Sequence, residues 1–215
     1  QNRSALANWA SCASVWRRTK FCSTGSSALF LARQAVQSGA VDCVLALGFE
    51  QMQPGAIKAA FTDRPTPFEE FDQITDVLVG HAEIPLALRY FGGAGKAHMD
   101  KYGTQLETFA AIRAKASRHA VNNPLALFRK EVTTEDVMAS PMLWEGVLTR
   151  LMACPPTCGA AAAVVCSEAF AKKHGLNTQV SITAQAMTTD FHSTFDSKDM
   201  MRVVGYDMAR DAGRQ

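Results

Sequence analysis

Phe21-Cys22-Ser23-Thr24-Gly25-Ser26-Ser27 sets a cysteine directly ahead of an amphipathic pattern. The first amides of a helix lack intrahelical acceptors and its N-terminal end carries partial positive charge. A thiol placed there is drawn toward the thiolate, its nucleophilic form. The small residues after Cys22 let a substrate approach the backbone closely. A buried structural thiol at a Ser/Thr-capped helix is the competing reading of the same spacing, because reactivity requires a lowered pKa.

Other clusters point to weaker chemistry. Cys154 and Cys158 flank Pro155-Pro156, and no second ligand pair follows at zinc-site spacing, so the expectation is a turn with incidental thiols and no metal. Gly92-Gly93-Ala94-Gly95-Lys96 has the composition of a phosphate loop. Ala97 follows the lysine, however, and Tyr90 stands where an earlier glycine is required, which excludes a nucleotide P-loop. His81 and Glu83 fall in a Pro-rich stretch and are expected in a solvated loop. Arg113, Lys115 and Arg118 are expected on the wet face of a helix, with a phosphate contact as the lesser reading.

The elements that must position Cys22 follow from hydrophobic periodicity. Ala28, Ala32, Ala35, Val36 and Gly39 recur at helical spacing from Ser26, predicting an amphipathic helix that stops at Ser38-Gly39. Val41-Asp42-Cys43-Val44-Leu45-Ala46-Leu47-Gly48 is almost continuously apolar, the pattern of a strand covered on both faces. A helix feeding such a strand predicts an α/β sheet.

From Gln51 to about Arg150 the composition shifts to Pro, Gly and charge, predicting an excursion from the sheet. Its prolines and the Gly92–Gly95 cluster are expected to break any long element. Within it, Thr104-Gln105-Leu106-Glu107 reads as a capping box, followed by an apolar stripe of Leu106, Phe109, Ile112, Ala116 and Ala120. A short helix is predicted over Thr134 to Ala139. The sheet pattern resumes at Gly159 to Cys166, then a helix over Ser167 to His174 and a strand over Val180 to Ala184. Residues 1–20, with Trp9 and Trp16, show no clear period.

At 215 residues, with 47% hydrophobic and 20% charged residues, the chain fits a globular domain and not a disordered, collagen-like or disulfide-dense one. The net charge of +2 gives no basis for a nucleic-acid-binding face. No apolar run approaches the roughly 18–20 residues of a membrane-spanning helix. Arg17, Arg18 and Lys20 follow the first apolar stretch instead of preceding it, the wrong order for a secretory signal. Six dispersed cysteines suit a reducing compartment and buried free thiols.

Several segments in order resemble a known family. Cys22-Ser23-Thr24-Gly25-Ser26-Ser27-Ala28-Leu29, with Gly48, Glu50 and Met52 matching a Gly-x-Glu-x-Met strand end, looks like the nucleophile segment of thiolases. Gly95-Lys96-Ala97-His98-Met99-Asp100-Lys101-Tyr102-Gly103-Thr104, His119-Ala120-Val121-Asn122-Asn123-Pro124, Val137-Met138-Ala139-Ser140 and Gly159-Ala160-Ala161-Ala162 extend the likeness. They resemble the thiolase domain of sterol carrier protein x-type 3-oxoacyl-CoA thiolases, over about Phe21 to Gln215.

The resemblance implies a layered αβα thiolase-like fold, incomplete here. Residues 1–20 would be an atypical segment and residues 21–215 part of the N-terminal thiolase domain, with a loop-domain excursion at about 51–150. It implies Cys22 as nucleophile, with His98 and Met99 placed to contact the pantetheine or acyl part of the substrate; an exposed histidine beside a packing methionine is the competing reading of that pair. Cleavage of 3-oxoacyl-CoA by CoA would serve fatty acid or sterol side-chain metabolism. Coenzyme A is then a co-substrate and no bound cofactor or metal is expected.

A homodimer and a peroxisomal address follow from the resemblance alone, with cytoplasm or mitochondrion as alternatives. The tail Ala212-Gly213-Arg214-Gln215 carries no Ser-Lys-Leu-like signal. The family's Gly-His-Pro and Cys-x-Gly motifs do not occur in this sequence, which opens at Gln1 and not at Met, and Trp16-Arg17-Arg18-Thr19-Lys20 departs from the family's Asn-rich approach. The chain as written is therefore expected to be a fragment without full activity. The alternatives are a non-catalytic thiolase-like fragment that binds lipid or a partner, and a papain-like order of Cys22, His119 and an asparagine, which lacks that family's surroundings.

Overall fold

The computed structural model describes residues 23–52, 63–66 and 68–215. Residues 1–22, which include Cys12 and Cys22, lie outside them. In chain order the elements are α1 (Thr24–Gln37), β1 (Cys43–Glu50), α2 (Glu69–Val79), α3 (Leu86–Tyr102), α4 (Leu106–Val121) and α5 (Thr134–Ala139). Then come β2 (Met142–Trp144), β3 (Leu148–Thr149), a 3-10 turn (Arg150–Met152), β4 (Gly159–Cys166), α6 (Glu168–Lys173), α7 (Ser193–Asp196), α8 (Met200–Val203) and α9 (Tyr206–Ala212). The chain divides into two compact units, 1–52 with 157–187 and 53–156 with 188–215. No helix among the described residues is long and apolar enough to cross a membrane.

In the first unit, β1 and β4 form an antiparallel ladder running from Cys43 opposite Cys166 to Glu50 opposite Gly159. Helix α1 lies on one face of it. Ala28 and Ala32 meet Val44 and Ala46, and Leu29, Ala35, Val36, Val41 and Val165 close the core around them. The alanines explain why a helix can sit so near the strands: with no side chain beyond Cβ, they bury the ladder without holding it off. The helix ends as its sequence predicts, Ser38 capping it and Gly39 taking φ +74°, a left-handed conformation natural to glycine.

Two expectations for this unit are corrected. The apolar run of β1 predicts cover on both faces, yet only Val44 and Ala46 are buried under α1. Leu45 and Phe49, on the other face, remain 44% and 46% exposed. The run is suited to two covers, and the described residues supply one. Val180 to Ala184 has strand-like composition but pairs with no strand among the described residues, and Val180 is 91% exposed. Ser167 does start α6, its hydroxyl accepting from the Phe170 amide at 3.2 Å.

In the second unit, α3 runs unbroken for 17 residues through Gly92-Gly93-Ala94-Gly95, where a break was expected. The glycines are places of close packing, not stops. A Cβ on Gly92 would lie 3.0 Å from the Trp144 ring, and one on Gly93 3.0 Å from the Met200 methyl and 3.2 Å from Val79. Glycine costs a helix roughly 1 kcal/mol relative to alanine, and here the space gained admits Trp144, Val79 and Met200. Ala94, Met200 and Val203 form the core beside them, joined by Phe71, Ile74 and Leu78.

The capping box expected at Thr104 is absent. Helix α4 begins one residue later, with Gln105 as N-cap and no side-chain cap bond, because the Thr104 hydroxyl pairs with His98. A complete capping box instead starts α5: Thr133 Oγ1 accepts from the Asp136 amide at 3.1 Å, and the Thr133 amide donates to Asp136 Oδ2 at 2.9 Å. Asp performs there what the usual Glu or Gln does. The buried face of α4 is Ala110, Ala114 and Ser117, so Ile112 and Ala116 of the expected stripe point outward. Ser117 also accepts from the Val132 amide at 3.0 Å, tying the approach to α5 onto α4.

Candidate functional site

Ser23 is the N-cap of α1 and follows Cys22 directly; its side chain makes no capping hydrogen bond, while its carbonyl accepts from the Ser27 amide at 2.9 Å. The first turn of α1 is set against β1 through two glycines. A Cβ built on Gly48 would stand 2.8 Å from the Gly25 Cα and 3.3 Å from its nitrogen, closer than side-chain carbon atoms pack. The reverse substitution is roomier, since a Cβ on Gly25 would lie 3.5 Å from the Gly48 Cα. Backbone thus rests on backbone three residues after Cys22. The start of α1 and the strand end that opens at Gly48, separate in sequence, meet at this contact.

The strand end is held in turn. The Met52 amide donates to Cys158 Sγ at 3.2 Å, just ahead of β4. Of the cysteines in the described residues, Cys154 and Cys158 are exposed, and Cys43 and Cys166 are half-buried. This corrects the expectation of buried thiols. Burial, with the neighbouring Cys166 and Asp42 as smaller causes, holds the Cys43 thiol above its ordinary range. Among the described residues no group of three or more His, Cys, Asp or Glu side chains is arranged to hold a metal ion.

His98 and Met99 belong to the second unit and sit near the C-terminal end of α3. His98 Nδ1 is 2.9 Å from Thr104 Oγ1, and its ring lies 4.7 Å from that of Tyr102. Both residues are half-buried, and the Met99 carbonyl accepts from the Gly103 amide at 2.8 Å where the helix ends. His81 is exposed, as expected, with Nδ1 3.5 Å from Asp76. Arg113 departs from the expected wet face: it is half-buried and donates from Nε to the Leu151 carbonyl at 3.0 Å, while Lys115 and Arg118 are exposed.

The electrostatic centre of the second unit escaped the sequence reading. Arg89 of α3 is buried, with its guanidinium paired to Asp76 and 3.7 Å from Asp72, both on α2. Tyr90 donates to Asp72 at 2.9 Å, and burial, reinforced by that bond, pushes its phenol well above the usual tyrosine range. The signal available in the sequence was Asp72 and Asp76, four apart and so on one helix face. Nothing marked Arg89 as their partner.

The family described as "Thiolase, N-terminal domain" matches residues 3–169. This chain belongs to the thiolase family. The matched range reaches back into the segment 1–20 and takes in the Cys22 helix, the Gly25–Gly48 contact and the β1–β4 ladder. The thiolase chain is 48% identical over 198 residues to sterol carrier protein 2 of Oryctolagus cuniculus, covering 90% of this chain and 36% of that protein. It is 30% identical over 182 residues to an acetyl-CoA acetyltransferase of Methanothermobacter thermautotrophicus, covering 85% of this chain and 45% of that one. The chain thus spans 36% of the length of the sterol carrier protein it matches. A solved structure described as an Ltp2-ChsH2(DUF35) aldolase superposes with a TM-score of 0.60 at 19% identity, over 79% of this thiolase chain and 41% of that chain, a likeness of fold.

Proposed function

We propose that this chain is the nucleophile-bearing part of a thiolase-type acyltransferase, which cleaves 3-oxoacyl-CoA with CoA through an acyl-enzyme on Cys22. The observation that carries the reading is the contact of Gly25 with Gly48. It fixes the first turn of α1 against β1 only three residues beyond Cys22, as a reaction needing a positioned nucleophile requires. The family match and the acetyltransferase relative support the reaction class. The sterol carrier relative supports a lipid acyl group as cargo.

In this reading the Cys22 thiolate attacks the keto carbon, and the bond between that carbon and the adjacent α-carbon breaks. The acyl group stays on sulfur and a short acyl-CoA leaves as its enolate, which takes up a proton. The thiol of a free CoA then attacks the acyl thioester and returns the Cys22 sulfur. A base for Cys22, an acid for the enolate and further oxyanion donors are needed. The family draws its histidine and second cysteine from motifs this sequence does not contain, so the 215 residues alone are expected to lack full activity.

Residues 21–215 act here as part of the N-terminal thiolase domain and about 51–150 as its loop domain, with residues 1–20 as an atypical segment. With Nδ1 engaged by Thr104, His98 offers Nε2 to the pantetheine arm, beside Met99. The complete protein works as a homodimer, in the peroxisome, with coenzyme A as its only cofactor-like partner. The test is turnover of a 3-oxoacyl-CoA plus CoA by the full-length protein and its Cys22→Ala variant. Loss of activity in the variant is expected, and equal activity in the two overturns the proposal. A second reading, a non-catalytic lipid carrier, draws on the name of the sterol carrier relative and predicts lipid binding with no turnover in either protein.

A further inference from the structure

Cys43 and Cys166 stand opposite each other at one end of the β1–β4 ladder. The neighbouring pair fixes their geometry. The Ser167 amide donates to the Asp42 carbonyl at 2.9 Å, one register step beyond the two cysteines. In an antiparallel ladder, directly opposite residues alternate between hydrogen-bonded and non-hydrogen-bonded pairs. Asp42 and Ser167 are the former, so Cys43 and Cys166 are the latter, the closer kind. Such pairs have Cα atoms about 4.5 Å apart, within the roughly 4.4–6.8 Å that a disulfide bridges. Directly opposite side chains also project from the same face. Val44 and Ala46 turn to α1, so both thiols stand on the opposite face with Leu45 and Phe49, half-buried and not sealed.

We propose that Cys43 and Cys166 form a thiol pair that closes to a cross-strand disulfide when the protein meets a small-molecule disulfide, locking β1 to β4. The site is independent of the acyl-transfer reading and makes no use of Cys22. Chemically, one protein thiolate attacks the small disulfide, expels one small thiolate and is left as a mixed disulfide. The second protein thiolate attacks the protein sulfur of that adduct and expels the other small thiolate. Two protein thiols are oxidised, one small disulfide is reduced to two thiols, and the two protons pass to those products.

Of the other cysteines among the described residues, Cys154 and Cys158 are exposed and lie outside the ladder. The cross-link would join segments separated by the whole excursion after Met52, so it would hold both ends of that excursion whether or not the strands opened.

The test treats the full-length protein, carrying Cys154→Ser and Cys158→Ser, with glutathione disulfide. Remaining thiols are blocked with N-ethylmaleimide, and tryptic peptides are identified by mass. Cys43 is alone in peptide 34–58, and in this background Cys166 is alone in peptide 151–172. The expected product is the two peptides joined and lighter than their sum by two hydrogens. It disappears on reduction, and it is absent in the Cys43→Ser and Cys166→Ser variants. The oxidised protein should also melt higher than the reduced one, a rise that Cys43→Ser removes. Separate glutathione or maleimide adducts on the two cysteines, or a link from Cys43 to any other cysteine, would overturn the proposal.

Discussion

Replacing Gly48 by alanine tests how α1 is held. The added methyl would sit 2.8 Å from the Gly25 Cα, and both sides of the contact are backbone, so no side chain can swing away. Relief to an ordinary carbon separation of about 3.5–4.0 Å requires the first turn of α1 to retreat by roughly 1 Å. Overpacking of this kind costs about 1–3 kcal/mol. At about 2–4 °C per kcal/mol for a chain of this size, the melting midpoint should fall by several degrees. A displacement of about 1 Å in a positioned nucleophile lowers turnover by as much as ~100-fold. Gly25→Ala is the internal control: its methyl meets Gly48 at 3.5 Å, an ordinary contact, and alanine favours the helix. Calorimetry and 3-oxoacyl-CoA turnover of the full-length variants should therefore rank Gly48→Ala far below Gly25→Ala. Equal melting and turnover for Gly48→Ala and the parent, or the reverse ranking, would refute the reasoning.

Three further outcomes follow from the second unit. Asp76→Ala leaves the buried Arg89 with only the more distant Asp72, and should cost about 2 kcal/mol by denaturant unfolding, while removal of exposed Glu83 should cost nothing measurable. Tyr90 keeps its proton in the folded state to a higher pH than an unfolded tyrosine, which ionises near 10. Its contribution is thus complete below about pH 10 and is lost as pH rises further. Tyr90→Phe should lower the melting midpoint at neutral pH yet flatten its decline above pH 10, and parallel pH curves would contradict this. Thr133→Ala removes half of the capping box that starts α5 and should cost about 1 kcal/mol, visible as faster amide exchange over 134–139.

The helices and strands of the first unit were legible because each carries its own local signal: the alanine period of α1, its terminal Gly39, the aliphatic run of β1 and the serine that starts α6. What local pattern could not convey was the use made of a residue by something distant. Gly92 and Gly93 read as helix breakers because the sequence does not announce Trp144, Val79 and Met200 on the other side of them. Thr104 read as a cap because nothing nearby tells that its hydroxyl is taken by His98. The stripe of α4 was misplaced for a related reason. Size, not hydrophobicity, selects its buried face, so Ala110, Ala114 and Ser117 lie inside and Ile112 outside. At the candidate site, Gly25 and Gly48 were both singled out within their motifs, but their contact was invisible until the first turn of α1 and β1 were seen together.

The most direct measurement is of the acyl-enzyme itself. Full-length protein is mixed with a 3-oxoacyl-CoA in the absence of free CoA, quenched in acid and digested with trypsin, which releases residues 21–33 as a peptide with Cys22 as its sole cysteine. The account predicts that this peptide gains the mass of the acyl group and loses it again when CoA is added before the quench. Turnover of the substrate with Cys22 unmodified throughout, or undiminished in Cys22→Ala, would contradict it.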